Sequence, residues 1–268
     1  MDNDRSGCVV LVPTRDHIEP GCEYGLRRLE QLGYEVWRAF GASAIDQARN
    51  RLATAALSKG FTELMWIDSD VQFDPESVDI LRSHQLPMVC GIYGQKRPGF
   101  AQTCSFLPGT EEIRFGKHGG LMEIRHAAGG FLFTRDEVYL KIFDQENLPI
   151  CSEKTSPRIP FFMPMILGAS DDHWYLGEDF AFSERARRCG FSIYADTTIR
   201  LEHIGRYNFS WDDLMHSRER HVGYTINIGD DREDGSPNPD ERSGSPDPDP
   251  ATWSVEPTEP RRNGGAGA

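Results

Sequence analysis

Short apolar runs alternate with amphipathic stretches along the first third of the chain. Cys8 to Thr14, "CVVLVPT", is apolar up to a proline and predicts a strand. Tyr24, Leu26, Leu29 and Leu32 recur at helical spacing, and "YEVWRAF" from Tyr34 to Phe40 predicts a second strand. Ser43 reads as the cap of a helix that runs to about Lys59 and is ended by Gly60. Leu64 to Asp68 is a third strand, Asp74-Pro75 opens a helix to Ser83, and "MVCGIYG", Met88 to Gly94, is a fourth strand. Leu64, Met65, Trp66 and Ile67 show no polar alternation, as expected of a strand covered on both faces. The alternation of strand and helix predicts an α/β fold with a mostly parallel central sheet and helices on both faces.

The pattern changes after Gly94. "EEIRFGKHGGLMEIRHAAGG" predicts a small hairpin region about Gly116 to Gly120, running into a strand over Phe131 to Thr134. A helix follows from Arg135 to about Phe143. Asn147 to Ser170 is a long, proline-broken loop, and the aromatic and methionine content of Phe161 to Met165 favours a binding loop or lid. Glu178 to Cys189 reads as a helix, "FSIYADTTI" as a strand, and "RLEHIGRYNF" follows it. No internal repeat is visible.

Composition changes the picture mainly at the C-terminal side. The chain has 268 residues and a formal net charge of −13. From Gly229 onward Pro, Gly, Ser and acids dominate, which predicts one folded domain over 1–228 and a disordered acidic tail over 229–268. The tail carries roughly half of the net charge, so that charge says little about the folded part. An acidic chain without a basic stripe is a poor nucleic-acid binder. The N-terminus has no signal-peptide pattern, and no apolar run approaches the roughly 20 residues of a membrane span. The cysteines are scattered without a C-x-x-C pair, which predicts buried reduced thiols, a cytoplasmic location and no structural zinc.

The chemistry begins with "ELMWIDSDVQF", Glu63 to Phe73, an apolar run that ends on Asp68, Ser69 and Asp70. Two acids so close repel each other unless a cation sits there, and hard divalent cations take carboxylate oxygens. In an open parallel sheet ligands bind beyond the carboxyl ends of the strands, where these acids and the "VPTRD" loop both lie. Glu178 and Asp179 open a helix, a place that favours negative charge with or without a catalytic role. His203 lies beyond a strand, where a histidine serves as structure or as ligand.

Taken together, a strand ending in D-x-D, a Gly-containing segment, a Glu-Asp pair opening a helix and a late histidine resemble the GT-A glycosyltransferases. "ARNRLATAALSKGFTELMWIDSDVQF" is similar to the nucleotide-sugar half of family 2-like members, and "GGFLFTRDEVY" and "GEDFAFSERARRCGF" to their later blocks. The resemblance covers Val9 to about Phe209. It implies a GT-A (Rossmann-like) nucleotide-diphospho-sugar transferase fold and a metal-dependent glycosyltransferase. Such an enzyme moves a sugar from a nucleotide-diphosphate donor to an acceptor hydroxyl on a glycan, lipid-linked sugar or protein. By the same resemblance Asp70 and His203 bind Mn2+ or Mg2+, and Asp68 contacts ribose or a metal water beside Ser69. Pro13, Thr14, Arg15, Arg49 and Asn50 line the nucleotide pocket. Ala128, Gly129 and Gly130 form a small-residue loop beside the donor sugar, where a side chain would obstruct it. Asp179 takes the catalytic-base position of inverting members, with Glu178 the alternative, and Tyr93, Lys96 and Arg97 contact diphosphate or acceptor. Inversion is favoured over retention.

One departure is that no base-reading acid follows the second strand, since Asp46 already lies inside a helix; the donor nucleotide is therefore open. The acceptor is expected at the 151–175 loop, where Trp174 and Tyr175 either stack on a sugar or pack beside the active-site helix. "DSDVQ" also satisfies the nucleophile motif of haloacid dehalogenase-like phosphatases. That motif normally opens the first strand, whereas here it follows at least two, and the later acid pairs at Asp171-Asp172 and Asp212-Asp213 do not follow an apolar strand as the motif's partner would. A sugar-nucleotide pyrophosphorylase would want a Gly-rich basic loop after the first strand, which "VPTRDHIEPG" is not. A catalytically inactive nucleotide-sugar-binding module is the remaining alternative.

Overall fold

The computed structural model describes residues 4–96, 103–168 and 173–205, together with the backbone of 225–227. Arg97, both later acid pairs and the acidic stretch 229–268 lie outside the described residues. The strands are β1 (Cys8–Pro13), β2 (Glu35–Ala39), β3 (Glu63–Ile67), β4 (Val71–Phe73), β5 (Met88–Gly91), β6 (Glu112–Arg114), β7 (Leu121–Ile124), β8 (Phe131–Arg135), β9 (Met165–Leu167), β10 (Trp174–Leu176), β11 (Ile193–Asp196), β12 (Leu201–His203) and β13 (Thr225–Asn227). The helices are α1 (Pro20–Gln31), α2 (Ile45–Ser58), α3 (Glu76–Ser83), α4 (Asp136–Gln145) and α5 (Glu178–Arg188).

Seven strands form the central sheet in the order β2-β1-β3-β8-β5-β11-β7. β1 is parallel to β2 and β3, and β5 is parallel to β11. β8 runs antiparallel between β3 and β5, and β7 antiparallel at the edge. The sheet is thus mostly parallel, as expected, with its strand ends gathered along one edge.

The absence of alternation in β1 and β3 has the predicted cause. Val9, Leu11, Leu64 and Trp66 point to one face, where they meet Leu52, Ala53 and Ala56 of α2, Tyr139 of α4 and Phe182 of α5. Cys8, Val10, Val12, Met65 and Ile67 point to the other, against Cys22, Leu26 and Leu29 of α1 and Val78 and Leu81 of α3. Inside the first layer the Trp66 indole N–H donates to the Tyr139 hydroxyl at 2.8 Å, and that hydroxyl meets Thr134 Oγ1 at 2.9 Å. The Trp66, Tyr139 and Thr134 side chains thus find their hydrogen-bond partners in one another. All six cysteines are unpaired, and five of them are buried.

Several sequence expectations are corrected. Ser43 does not cap α2, because Ala44 holds the cap position and no side chain bonds there. Asp74 does act at the start of α3, its carboxylate accepting the Glu76 N–H at 3.1 Å. The glycine-rich stretch at Gly116 to Gly120 is not a hairpin. β6 pairs with β13 and β7 pairs with β11, with a short 3-10 turn over Gly116–His118 between them. A small hairpin is found elsewhere, β9 with β10. Phe161 and Phe162 are not a lid. Both are buried, with Phe162 stacked on Phe182 at 4.4 Å between ring centroids. The Asp-rich strand end also continues into β4, which pairs with β12.

Candidate functional site at the carboxyl edge of the sheet

Because β3 is sealed on both faces, its polar continuation emerges where the sheet ends. The Asp68 N–H extends the ladder by donating to Gly130 O at 2.9 Å, and Val71 N closes the turn on Asp68 O at 3.1 Å. Distant donors hold this turn from behind. Glu19 N reaches Ser69 O at 2.8 Å, Cys22 Sγ reaches Asp68 O at 3.4 Å, and Ile204 N reaches Asp70 O at 2.7 Å. With the backbone carbonyls so engaged, the two carboxylates are the groups left to face outward.

Arg49 organises one side. It lies on α2 with only 1 % of its surface exposed. Its guanidinium donates to Asp68 Oδ1 at 2.7 Å and to Gly129 O at 3.2 Å, and its Nε lies 3.7 Å from Glu178 Oε1. The cation also sits over the Trp66 and Phe162 rings, at 5.5 and 6.0 Å from their centroids. A buried guanidinium is tolerated only when so surrounded, and here it ties three sequence-distant motifs together. The Gly pair completes the fit. A Cβ on Gly129 would lie 2.7 Å from the Arg49 guanidinium, and one on Gly130 would lie 2.0 Å from the Tyr93 hydroxyl. The small residues are thus demanded by the protein's own packing, independently of any donor sugar.

Asp70 organises the other side. Its Oδ1 is 3.6 Å from His203 Nε2 and its Oδ2 accepts from Lys96 Nζ at 2.5 Å. Burial by itself would raise this carboxyl, but His203 and Lys96 beside it outweigh that and hold the group at about 2. His203 Nδ1 lies 3.0 Å from Gly94 O. A carbonyl only accepts, so Nδ1 carries the hydrogen and Nε2 is turned toward Asp70. The Tyr93 ring meets the His203 ring edge-on at 5.1 Å.

Glu178 and Asp179 form the first turn of α5, beyond Gly177 at its cap. Asp179 Oδ1 accepts from Phe180 N at 2.8 Å and Oδ2 from Gly129 N at 3.3 Å. Desolvation, and then the neighbouring Glu178 charge, push its carboxyl up to about 6, against an opposing pull from Arg49. The same face of α5 is fastened further along. Ala127 N donates to Ser183 Oγ at 3.1 Å, and His126 bridges Glu184 Oε2 at 3.3 Å and Ser105 Oγ at 2.9 Å. Nothing in the sequence reading singled out this fastening, although the "HAAGG" run and the Ser183-Glu184 pair one turn past Asp179 were its signal.

The expected residues divide accordingly. Asp68, Asp70, Gly129, Gly130, Glu178, Asp179 and His203 come together around Arg49, Tyr93 and Lys96. Asn50 is buried and commits its Oδ1 to Phe162 N at 2.7 Å, so like Arg49 it holds protein rather than lining open space. Pro13 ends β1 and Thr14 and Arg15 follow it at the same edge, but their bonds go to β2 and the neighbouring loops. Thr14 Oγ1 donates to His17 O at 2.7 Å, Pro13 is paired with Ala39, and Arg15 O accepts from Gly41 N at 2.9 Å. Tyr175 is 70 % exposed, whereas Trp174 packs against Leu167, Leu176 and Ala181 beside α5. An open cleft between α1 and α3, lined by Tyr24, Arg28, Gln72, Asp79 and Ile80, contains none of Asp68, Asp70, Glu178 and Asp179.

Among the described residues no three of His, Cys, Asp and Glu are grouped to hold a metal. Asp70 and His203 form a pair that fits one from the protein side. Cations such as Mg2+ take one or two carboxylates and complete their shell with phosphate and water oxygens. Ligating imidazoles commonly donate the other N–H to a backbone carbonyl, as His203 does to Gly94. No helix among the described residues is long and apolar enough to cross a membrane.

No protein-family profile matches the chain, and a search of curated proteins finds no match. Among solved structures it is similar to A197 from STIV, with 16 % identity, a TM-score of 0.47, and coverage of 74 % of this chain and 86 % of that one. It is also similar to GalNAc-T7, solved with UDP, GalNAc and Mn2+, with 15 % identity, a TM-score of 0.41 and coverage of 76 % of this chain. That alignment spans 45 %, less than half, of the GalNAc-T7 chain. A third is S. aureus TarS 1-349, with 13 % identity, a TM-score of 0.34, and coverage of 70 % and 57 % of the two chains.

Proposed function

We propose that this chain is a metal-dependent glycosyltransferase of the GT-A kind, moving a sugar from a nucleotide-diphosphate donor to an acceptor hydroxyl with inversion. The observation that carries the reading is the convergence of Asp68, Asp70, Gly129, Glu178, Asp179 and His203 at one sheet edge, where Arg49 joins Asp68, Gly129 and Glu178, and Asp70 meets His203. Each group there matches a need of the reaction. The leaving nucleoside diphosphate develops negative charge, and Asp70 with His203 would hold a divalent cation to receive it. A bound cation would supply that charge neutralisation; the chain's own residues do the rest.

Lys96 adds a second positive group at the same place. Asp179 is the base. Its carboxyl, raised to about 6, still ionises near neutrality and is basic enough to take the proton that the acceptor hydroxyl loses as it attacks the anomeric carbon. Burial, and then the charge of the adjoining Glu178, supply that basicity. One base and one displacement give inversion. Asp68, held by Arg49, is rigid enough to place the ribose or a water.

The test is thermal-shift binding across UDP-, GDP-, dTDP- and CMP-sugars, with Mn2+ and with EDTA. One nucleotide class should raise the melting temperature only with metal, and Asp70→Ala should remove that shift. A protein that no nucleotide shifts under any metal condition, and that hydrolyses generic phosphoesters, would refute the reading in favour of a phosphatase.

A further inference from the structure

We propose that Lys96 competes with the divalent cation for Asp70, so that the cation binds tightly only together with a nucleoside diphosphate; the inference rests on the donor-site reading above. The two oxygens of Asp70 are divided. Oδ1 faces His203 Nε2 at 3.6 Å, and Oδ2 holds Lys96 Nζ at 2.5 Å. The side chains are 32 % and 37 % exposed, so the pair is neither sealed nor dispersed in bulk water.

The position of the ammonium is built from both ends. The segment leading to Lys96 is tied to His203 through the Gly94 carbonyl, at 3.0 Å, and through the edge-on Tyr93 ring. On the far side the stem of Lys96 passes over Gly205, where a Cβ would lie 3.0 Å from its Cδ. The same two residues that would ligate a cation therefore also fix the residue that opposes it.

An ammonium offers three donors and no lone pair, so it repels a cation on the same carboxylate and cannot ligate it. Direct contact between a dication and a lysine around one carboxylate weakens metal binding by about 10-fold after solvent screening. A diphosphate reverses the sign. Its charge lies between the two cations, each of which then strengthens its hold on the phosphate oxygens. Metal and nucleotide affinities become coupled, and the coupling is equal in both directions. The site would thus stay poorly metallated until a donor arrives.

The experiment is titration of the full chain with Mn2+ alone, followed by electron paramagnetic resonance of free Mn2+, then with UDP and with GDP added in parallel. Lys96→Gln should bind Mn2+ alone about 10-fold more tightly than the natural chain, and should gain less from the nucleotide. Lys96→Arg should behave like the natural chain, and Asp70→Asn should lose Mn2+ in either background. Circular dichroism of Lys96→Gln confirms that the fold is kept. Equal Mn2+ affinity of Lys96→Gln and the natural chain, with Asp70→Asn still impaired, would overturn the competition and leave the transferase reading intact. No Mn2+ binding by any variant, with or without nucleotide, would overturn both.

Discussion

Replacing Arg49 by methionine removes a cation while keeping most of the volume of its side chain. It strands Asp68, bonded at 2.7 Å, and Glu178, at 3.7 Å, and leaves Gly129 O without its donor. Removing one member of a buried ion pair costs about 3 to 5 kcal/mol. Asp68 and Glu178 keep 30 % and 21 % of their side-chain surface exposed, so water recovers part of that loss. The expected cost is therefore at the lower end, about 3 kcal/mol, or a fall in Tm of about 6 to 12 °C for a domain of this size. Urea denaturation at pH 7 measures it. Asp68→Asn in the Arg49→Met background removes the stranded charge, so the double variant should be less destabilised than the sum of the singles by about 1 to 3 kcal/mol. A loss below about 1 kcal/mol for Arg49→Met, or strict additivity, would refute the view of Arg49 as the tie between the acid motifs. Arg49 also pulls the Asp179 carboxyl down, so in this variant the acid limb of the pH–rate profile should move to higher pH.

Two further tests bear on the same edge and one on the core beneath it. The Asp179 carboxyl, raised from 3.8 to about 6, stabilises the fold relative to its ionised form below pH 4 and loses that advantage as pH rises through 6. The stability difference between Asp179→Asn and the natural chain should therefore move in the variant's favour by about 1 to 2 kcal/mol between pH 4 and pH 8, read by urea denaturation at each pH. Gly130→Ala places a methyl 2.0 Å from the Tyr93 hydroxyl and 2.8 Å from Asp68 Oδ2. It should cost about 1 to 3 kcal/mol and abolish donor binding in the thermal-shift assay, with partial recovery in Gly130→Ala/Tyr93→Phe. Tyr139→Phe leaves the buried Trp66 N–H without its acceptor, and should lower stability by about 1 to 3 kcal/mol by chemical denaturation while leaving donor binding unchanged.

What was legible in the sequence follows from how local each signal is. β1 and β3 declare themselves because both faces are buried, so their runs Cys8–Pro13 and Leu64–Ile67 are apolar throughout. The acids at 68 and 70 are legible because two charges at the end of a buried strand need a reason, whereas those at 178 and 179 suit any helix start and stand out only beside them. β4 and β12 are three-residue strands of mixed polarity that stabilise one another across the length of the fold, so neither carries a pattern of its own. Gly116 to Gly120 looked like a hairpin because glycines permit one, yet β6 and β7 find partners far along the chain. Phe161-Phe162 lie between prolines and read as loop, while their rings complete the core beneath α5. The interior position of Arg49 was hidden for a related reason, since a charge on an amphipathic helix ordinarily faces solvent.

The β4–β12 ribbon also fixes when during synthesis the site can come into being. Every strand of the seven-stranded sheet has been made once Asp196 is in place. Asp70 has by then long been in position, but His203 and the strand that pins it have yet to emerge. A nascent chain stalled at that point would keep the whole sheet and lack one half of the Asp70–His203 pair. Assembly of the sheet and completion of the Asp70 edge are thereby separate events, ordered by position along the chain.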